Sequence, residues 1–436
     1  MLAVLKKYGF IAIYVLLILL VYLQGGFELI KEPKLRRELN EVSVPKRSIQ
    51  NWFNGEFQTQ SAEYVKRNFG FFNSALLQYN QIDYSVFKKA NAKDVVIGKN
   101  GFLYEKTYID AFYGRDLLSD SALNVKTKKL GLIKEYLDSC DVKLFVVMAP
   151  GKASFYPEFI PNYYKGAKPL KTNNAEFENR FKKAGIPYIN MRDWFLQMKD
   201  TASFPLVSQT GIHWSYYGML LAADSIINYS EQLLSKNLPN LFWTRMGKNF
   251  RANKTDSDIE DGMNLFSRLN QQELAYPNYN YESGNFDVAK AVMVGDSYGL
   301  GLYQRQLLSR SFKESQFWFY NQRIYEVGKH RDHLKFSNWT SKLTSVDVVF
   351  IVVTEATMKK FGFGFIEDSF FEFYPNHVLN RKKKKVVEDW IEYLKSDKNE
   401  LERMKVKSEK HNLSLEKTLY LEGLYYYQVY YNNTKP

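Results

Sequence analysis

The stretch Ala291-Val292-Met293-Val294-Gly295-Asp296-Ser297-Tyr298-Gly299 has four apolar residues followed at once by Gly-Asp-Ser. Four consecutive apolar residues are typical of a buried strand in a parallel sheet. The residues from Leu300 to Leu308 have helical spacing, so the pattern predicts a strand, a tight turn and a helix. Such a turn places the Ser297 hydroxyl at the carboxyl end of the sheet, where open α/β folds bind ligands. A serine at a helix N-terminus is a candidate nucleophile if a base can reach it.

Other apolar runs predict strands that join this one in a mainly parallel α/β sheet. These runs cover residues 142–149, 187–190 and 346–353. Helical spacing is found between the runs, at about 121–139, 172–184 and 215–234. A β-branched run, an Asn-Gly turn and an apolar return predict a hairpin over 95–104. The segment 381–436 has amphipathic stretches without a strand pattern, and we predict a small helical appendix there.

An uncharged, apolar stretch near the N-terminus runs from Tyr8 to Phe27. It reaches the ~20 residues that a membrane span requires. It is long for the apolar part of a cleavable signal peptide, and no small-residue cleavage site follows it. We therefore predict a signal anchor over 1–27 and a juxtamembrane linker with a helical region over 28–94. A cleaved signal peptide is the alternative.

The chain carries 60 Lys and Arg against 47 Asp and Glu, for a net charge of +13. No nucleic-acid-binding motif is visible and the anchor predicts an exported domain, so a nucleic-acid partner is not expected. The charge indicates attraction to an anionic membrane surface or an acidic polymer. The single cysteine, Cys140, excludes an intrachain disulfide and a Cys-based zinc site. The pair His330 and His333 lacks the glutamate and third ligand of a zinc site, so no metal is predicted.

A candidate base for Ser297 is His213, in Thr210-Gly211-Ile212-His213-Trp214-Ser215. This histidine ends a polar loop and directly precedes the predicted helix at 215–234. A histidine in such a loop can reach a neighbouring strand end and take a proton from a hydroxyl. A histidine that merely caps the helix is the alternative at this point.

Four motifs in order resemble the SGNH-hydrolase-like family of the alginate O-acetylation proteins. They are Gly-Lys-Asn-Gly-Phe-Leu-Tyr (98–104), Ala-Pro-Gly-Lys-Ala-Ser-Phe-Tyr-Pro-Glu (149–158), Thr-Gly-Ile-His-Trp-Ser (210–215) and Gly-Asp-Ser-Tyr (295–298). The resemblance covers about 50–370. It implies a three-layer α/β/α sandwich, which we assign to residues 95–380.

The resemblance also implies an activity, the transfer of acetyl groups to exopolysaccharide hydroxyls outside the cytoplasmic membrane. Ser297 would be the nucleophile and His213 the base, with no metal or organic cofactor. The expected partners are a polysaccharide acceptor and a membrane-bound O-acyltransferase that delivers the acetyl group. A polysaccharide acetylesterase and an inactive polysaccharide-binding scaffold of a secretion complex are the alternatives.

The third member of the catalytic set is open, because Gly211 stands where the family tends to carry an aspartate. Asp193 follows a predicted strand and is our candidate for the orienting acid. Asp296 lies in the turn itself, where bonding the turn amides is its expected role. Glu355 closes another predicted strand, where the family also shows a glutamate. A Ser-His dyad without an acid is the remaining alternative.

Two further residues are candidates for substrate binding. Tyr303 matches a family tyrosine near the site, although a core aromatic is the alternative. Arg323 follows the aromatic run 317–320 and could meet an acidic sugar or an acetyl oxygen, although a plain surface arginine is the alternative. The backbone N–H of Ser297 is the expected oxyanion donor.

Overall fold

The computed structural model describes residues 2–164, 171–250, 252, 254–269, 272–326, 332–333, 339–374, 381–411 and 413–431. The chain divides into two units. The first unit consists of Met1–Lys106, Ser208–Ile212 and Phe250–Gln272. The second unit consists of Thr107–Val207, His213–Asn249 and Glu273–Pro436.

The secondary structure alternates between helices and strands through most of the chain. The helices are α1 Leu2–Phe27, α2 Ile49–Phe53, α3 Glu56–Asn68, α4 Phe72–Phe87, α5 Lys106–Phe112, α6 Asp120–Asp138, α7 Lys152–Phe155, α8 Asn173–Ala184, α9 Met191–Met198, α10 Tyr216–Leu234, α11 Asp258–Met263, α12 Ser297–Gln304, α13 Trp339–Thr344, α14 Phe365–Phe373, α15 Arg381–Ser396, α16 Lys398–His411 and α17 Leu415–Tyr431. The strands are β1 Val95–Ile97, β2 Leu103–Glu105, β3 Lys143–Ala149, β4 Tyr188–Asn190, β5 Leu241–Asn249, β6 Leu274–Tyr281, β7 Ala291–Gly295, β8 Gln316–Phe319, β9 Arg323–Glu326, β10 Asp332–His333 and β11 Val348–Thr354.

A seven-stranded sheet organises the second unit, with the strand order β10-β9-β8-β7-β11-β3-β4. Neighbouring strands are parallel from β8 through β4, and β9 and β10 are antiparallel additions at one edge. Gly295 at the end of β7 pairs with Val352 of β11, and Thr354 of β11 pairs with Ala149 of β3. The carboxyl ends of the three central strands therefore lie along one edge, where the loops that follow them meet.

Helices cover both faces of this sheet, which confirms the predicted α/β/α layering. Val146, Val294 and Ile351 face one side and are packed in a core with residues of α6, α8 and α14. On the other side, Phe145 stacks on Phe350 at a ring-centroid distance of 5.2 Å, and α10 and α12 contact the strands. These strands are buried on both faces. Their sequences are therefore continuously apolar and do not alternate between apolar and polar residues.

The first unit contains the predicted N-terminal helix, the helical region and the hairpin. The helix α1 is long and apolar enough between Tyr8 and Phe27 to cross a membrane, by length and composition. The hairpin is confirmed, since β1 and β2 pair antiparallel with Ile97 opposite Leu103. Leu103 is fully buried with apolar residues of α11, so the hairpin belongs to the core of this unit.

The stretch between α10 and β7 contains a pair of strands that the sequence analysis missed. The strands β5 and β6 pair antiparallel over nearly their whole lengths. Residues of β6 such as Pro277 and Asn278 are poor strand formers, so the sequence pattern did not predict this strand. Its tyrosines stabilise it: the hydroxyls of Tyr279 and Tyr281 donate to the carbonyl oxygens of Arg305 and Gln306, at 2.5 and 2.9 Å.

The C-terminal helices α15, α16 and α17 form the predicted helical appendix and pack around Leu394 and Met404. They are tied to α14 by an ion pair, in which Nζ of Lys417 lies 2.7 Å from Oδ1 of Asp368. Lys417 is 3% exposed. Asp368 also accepts a hydrogen bond from Nδ2 of Asn321, in the turn that follows β8. The appendix is therefore fixed to the α/β sandwich by a buried charge.

We predict that Lys417→Ala destabilises the protein by about 3 kcal/mol, because it leaves the carboxylate of Asp368 buried without its cation. Urea unfolding should show the loss, and hydrogen exchange should locate it in α15 to α17. The control is Lys405→Ala, since that side chain is 51% exposed and pairs only at the surface with Glu402. Equal stability of the two variants would show that the ion pair does not hold the appendix.

Candidate active site

The turn between β7 and α12 is held by the carboxylate of Asp296. Oδ1 accepts a hydrogen bond from the Tyr298 N–H at 3.0 Å and so caps α12. Oδ2 accepts from the Thr354 N–H at 3.0 Å and from the Thr357 hydroxyl at 2.7 Å. Burial raises the pKa of the Asp296 carboxyl, and these hydrogen bonds oppose the rise. Asp296 therefore has the expected turn-bonding role and in addition joins the turn of Ser297 to the end of β11.

We predict that Asp296→Asn destabilises the protein by about 2 kcal/mol. An amide nitrogen replaces one acceptor oxygen, so a donor faces a donor and a buried N–H loses its partner. Thermal and urea unfolding measure the effect, and ester turnover should fall with it because the Ser297 turn loosens. The matched control is Asp200→Asn, at an exposed position. A variant as stable as that control would contradict the role given to Asp296.

His213 lies near the Ser297 turn, because its ring and that of the neighbouring Trp214 pack against Tyr298. The ring of Tyr298 lies 4.8 Å from the ring of His213 and 5.0 Å from that of Trp214, centroid to centroid. The helix α10, which begins just after His213, contacts α12, which begins at Ser297. Ser215 caps α10, since its hydroxyl oxygen accepts from the Gly218 N–H at 3.0 Å. The helix cap is thus supplied by Ser215, and the imidazole of His213 packs beside the Ser297 turn.

Gly211, in the first unit, lies where a side chain does not fit. A Cβ there would lie 2.5 Å from the carbonyl oxygen of Thr255, 2.6 Å from Oγ of Ser208 and 2.8 Å from the carbonyl carbon of Asp256. The Gly211 N–H donates to Oγ of Ser208 at 3.0 Å, which holds the loop in this position. The packing of this unit therefore requires glycine and leaves no room for an aspartate.

Glu355 is buried at the start of the short helical turn that follows β11. Its carboxylate accepts hydrogen bonds from the Ser154 hydroxyl and, at 3.4 Å, from the Gly151 N–H. Nε of Arg192 lies 3.0 Å from its Oε1. Burial raises the pKa of the Glu355 carboxyl and the Arg192 guanidinium opposes that rise. The carboxylate thus links the ends of β11 and β3.

Asp193 lies next to this group, on the first turn of α9. Its Oδ1 is 2.6 Å from a guanidinium nitrogen of Arg192, and its Oδ2 accepts from Nδ2 of Asn190 at 2.9 Å. Its side chain is 46% exposed. The contact between Arg192 and Glu355 joins residues far apart in sequence, and neither Arg192 nor Ser154 was a candidate site residue from the sequence. The signals that could have found them are the position of Arg192 just after the predicted strand at 187–190 and the position of Ser154 in the motif at 149–158.

Tyr303 and Arg323 lie on the β8 side of the sheet. The ring of Tyr303 stacks on Phe317 at a centroid distance of 5.8 Å and meets Tyr325 edge-on at 5.7 Å. Burial raises the pKa of its phenol. Arg323 is exposed and begins β9, opposite Phe319. Their role in substrate binding stays a prediction.

The pair His330 and His333, for which no metal is predicted, lies partly outside the residues that the structure describes. Within those residues, no group of three or more His, Cys, Asp or Glu side chains could hold a metal ion. The described residues at the carboxyl edge of the sheet include a hydroxyl at a helix start, an imidazole against the ring of the next residue, and two buried carboxylates. This set is suited to acyl transfer through a serine.

Comparison with known proteins finds a match over the part of the chain that contains Asp193, His213 and Ser297. The family model of the SGNH hydrolase-like domain of the acetyltransferase AlgX matches residues 95–301. A search of curated proteins found no match.

Among solved structures, the O-acetyltransferase domain of Pseudomonas putida AlgJ is 14% identical, with a TM-score of 0.41 and coverage of 64% of this chain and 99% of that one. Pseudomonas aeruginosa AlgX is 13% identical, with a TM-score of 0.41 and coverage of 64% and 68%. Bacillus cereus PatB1 is 12% identical, with a TM-score of 0.39 and coverage of 61% and 99%.

Proposed function

We propose that this protein, whose residues 95–301 match the family model of the SGNH hydrolase-like domain of the acetyltransferase AlgX, transfers acetyl groups to polysaccharide hydroxyls through Ser297. The observation that carries the proposal is the packing of Tyr298 against His213, which brings the imidazole beside the Ser297 turn. The buried carboxylate of Asp296 supports it, because it holds that turn by three hydrogen bonds.

The reaction has two halves. In the first, the Ser297 hydroxyl attacks the carbonyl carbon of an acetyl ester while His213 takes its proton. The C–O bond to the donor breaks, and His213 returns the proton to the departing alcohol. In the second half, His213 takes the proton of a sugar hydroxyl, whose oxygen attacks the acetyl-serine. The C–O bond to Ser297 breaks, and His213 returns the proton to the Ser297 oxygen. The N–H of Ser297, at the start of α12, stabilises the oxyanion in both halves.

We propose that Ser297 and His213 act as a dyad, with a backbone carbonyl or water orienting the imidazole. Gly211 supports this, since its packing leaves no room for the aspartate that the family tends to carry there. Asp193 stays the sequence-based candidate for an orienting acid, although Arg192 and Asn190 engage its carboxylate. An enzyme without the orienting acid keeps part of its activity, because the nucleophile and oxyanion donors still act.

We also propose that α1 anchors the protein in the cytoplasmic membrane, with the catalytic residues on the extracytoplasmic side. The length and apolar composition of Tyr8–Phe27 support a single span. A membrane-bound O-acyltransferase would then deliver the acetyl group at the membrane, and an extracytoplasmic polysaccharide would accept it. The net charge of +13 is compatible with an acidic acceptor.

The test incubates the full chain in detergent with an aryl acetate donor and an oligosaccharide acceptor. Mass spectrometry follows acetylated oligosaccharide and free acetate, and the His213→Ala variant is the control. Acetylated oligosaccharide made only by the wild type supports the transferase. Acetate without acetylated sugar would identify an acetylesterase. Rates equal to those of the variant would leave an inactive scaffold and overturn the proposal.

A further inference from the structure

The first unit has an apolar patch that is open to solvent. The patch consists of Ile49, Trp52 and Phe53 on α2, with exposed fractions of 80%, 55% and 84%. Phe57 of α3 lies against Trp52, with ring centroids 5.6 Å apart. Large apolar side chains that are this exposed and this close together mark an interaction site.

The patch is held in place by hydrogen bonds at both ends of α2. The Ser48 hydroxyl oxygen accepts from the Asn51 N–H at 3.0 Å and caps the helix. Nε2 of Gln58, on α3, donates to the carbonyl oxygen of Trp52 at 3.0 Å. The orientation of the patch is therefore set by α3.

The other end of α3 lies against α1. A Cβ at Gly70, just beyond α3, would lie 2.3 Å from the carbonyl oxygen of Val21 and 2.7 Å from the N of Gly25. The backbone after α3 is therefore in direct contact with the last turns of the apolar helix. The 13 residues of α3 rise about 20 Å, so α3 separates its contact with the patch at one end from the contact with α1 at the other by about that length.

Charged residues around the patch fit an anionic surface. Residues 46–67 contain four basic and two acidic side chains. Lys46 and Arg47 precede Ser48, the N-cap of α2, and are exposed. Tryptophan and phenylalanine beside lysine and arginine are typical of helices that lie in the headgroup region of a bilayer. Basic side chains near the surface add attraction to anionic lipids.

We propose that Ile49, Trp52 and Phe53 insert into the headgroup region of the membrane that α1 spans, with Lys46 and Arg47 against anionic lipid headgroups. The inference rests on the proposed anchoring of α1 and is independent of the proposed chemistry at Ser297. The first unit then contacts the bilayer at two points, a spanning helix and an interfacial helix connected by α3.

The test uses the full chain with Cys140→Ser, which removes the single cysteine. Single cysteines are introduced as Phe53→Cys, Val15→Cys and Val406→Cys and are labelled with a polarity-sensitive fluorophore. Val15 lies within α1, and Val406 is an exposed apolar control on α16, 59% exposed. The proteins are placed in nanodiscs of phosphatidylcholine and phosphatidylglycerol that contain nitroxide lipids. Separate samples carry the nitroxide near the headgroup or deep in the acyl chain.

The expected result is blue-shifted, quenched emission at positions 53 and 15, strongest with the headgroup nitroxide at 53 and with the deep nitroxide at 15. Position 406 should show neither effect. Quenching at 15 with an emission at 53 like that at 406 would overturn the proposal and leave the anchor standing. A blue shift at 53 without quenching would mean that protein covers the patch, and also overturns it. No quenching at 15 would remove the anchor and the proposal together.

A second measurement, made without an attached fluorophore, controls for an effect of the label. Brominated lipids quench the tryptophan emission of residues that contact the acyl chains. We expect the Trp52→Phe variant to lose most of the quenchable emission of the wild type. Unchanged quenching in that variant would contradict insertion of Trp52. Acetyl transfer by the same variant reports on Ser297 separately, so the two proposals succeed or fail independently.

Discussion

Replacing Ser297 by alanine should lower ester turnover by about four to six orders of magnitude. The hydroxyl is the only atom of this side chain that can form the acetyl-enzyme, and alanine retains the helix start and the N–H that stabilises the oxyanion. The measurement is kcat/KM for an aryl acetate, with the circular dichroism spectrum and unfolding curve of the same sample. Because Asp296 keeps its three hydrogen bonds in this variant, we expect a stability close to that of the wild type.

The matched control is Ser154→Ala, the other serine beside a carboxylate at this edge of the sheet. Ser154 donates to Glu355 and lies in α7, after β3. Its loss removes one hydrogen bond to a buried carboxylate, so the control should lose stability by about 1–3 kcal/mol and keep ester turnover. A Ser297→Ala enzyme that retains wild-type turnover would place the nucleophile elsewhere.

Replacing Gly211 by aspartate should destabilise the protein by about 3 kcal/mol and should not raise its activity. The resemblance to the family suggests the opposite, since it places the orienting aspartate at this position. The packing decides that the substitution destabilises the protein, because a Cβ would lie 2.5 Å from the Thr255 carbonyl oxygen and 2.6 Å from Oγ of Ser208. Overpacking of this kind forces the backbone to shift. Urea unfolding and ester turnover measure both effects.

The control for this variant is Gly131→Asp, on α6, where a Cβ would meet no atom within 4 Å. Glycine is a poor helix former and aspartate is a slightly better one, so the stability of this variant should stay near that of the wild type. A Gly211→Asp protein that is as stable as the control and more active would restore the aspartate as the missing member of the catalytic set.

The sheet was predictable where its strands are long and apolar. The strands β3, β7 and β11 are buried on both faces, so composition alone revealed them. The strands β6 and β8 were not predicted, because β6 contains proline and asparagine and β8 is a short aromatic run. Their stability comes from tertiary contacts, such as the hydrogen bonds of the β6 tyrosines, which no local pattern reveals.

The site was predictable where its residues are close in sequence to a strand end. The turn-bonding role of Asp296 followed from Gly-Asp-Ser, since a carboxylate in such a turn meets the next amides. Its bonds to Thr354 and Thr357 depend on the pairing of β7 with β11, which the sequence does not specify. The lack of space at Gly211 likewise depends on the position of Thr255 and Asp256 within the first unit.

The most direct test of the central claim is the mass of the acetylated enzyme. The full chain is mixed briefly with an aryl acetate without acceptor, quenched in acid and digested. We predict one added acetyl group on the peptide that contains Ser297, absent in Ser297→Ala and lost from the wild type when an oligosaccharide acceptor is added. Turnover with that peptide unmodified, or the same acetyl group in Ser297→Ala, would contradict an acetyl-enzyme on Ser297.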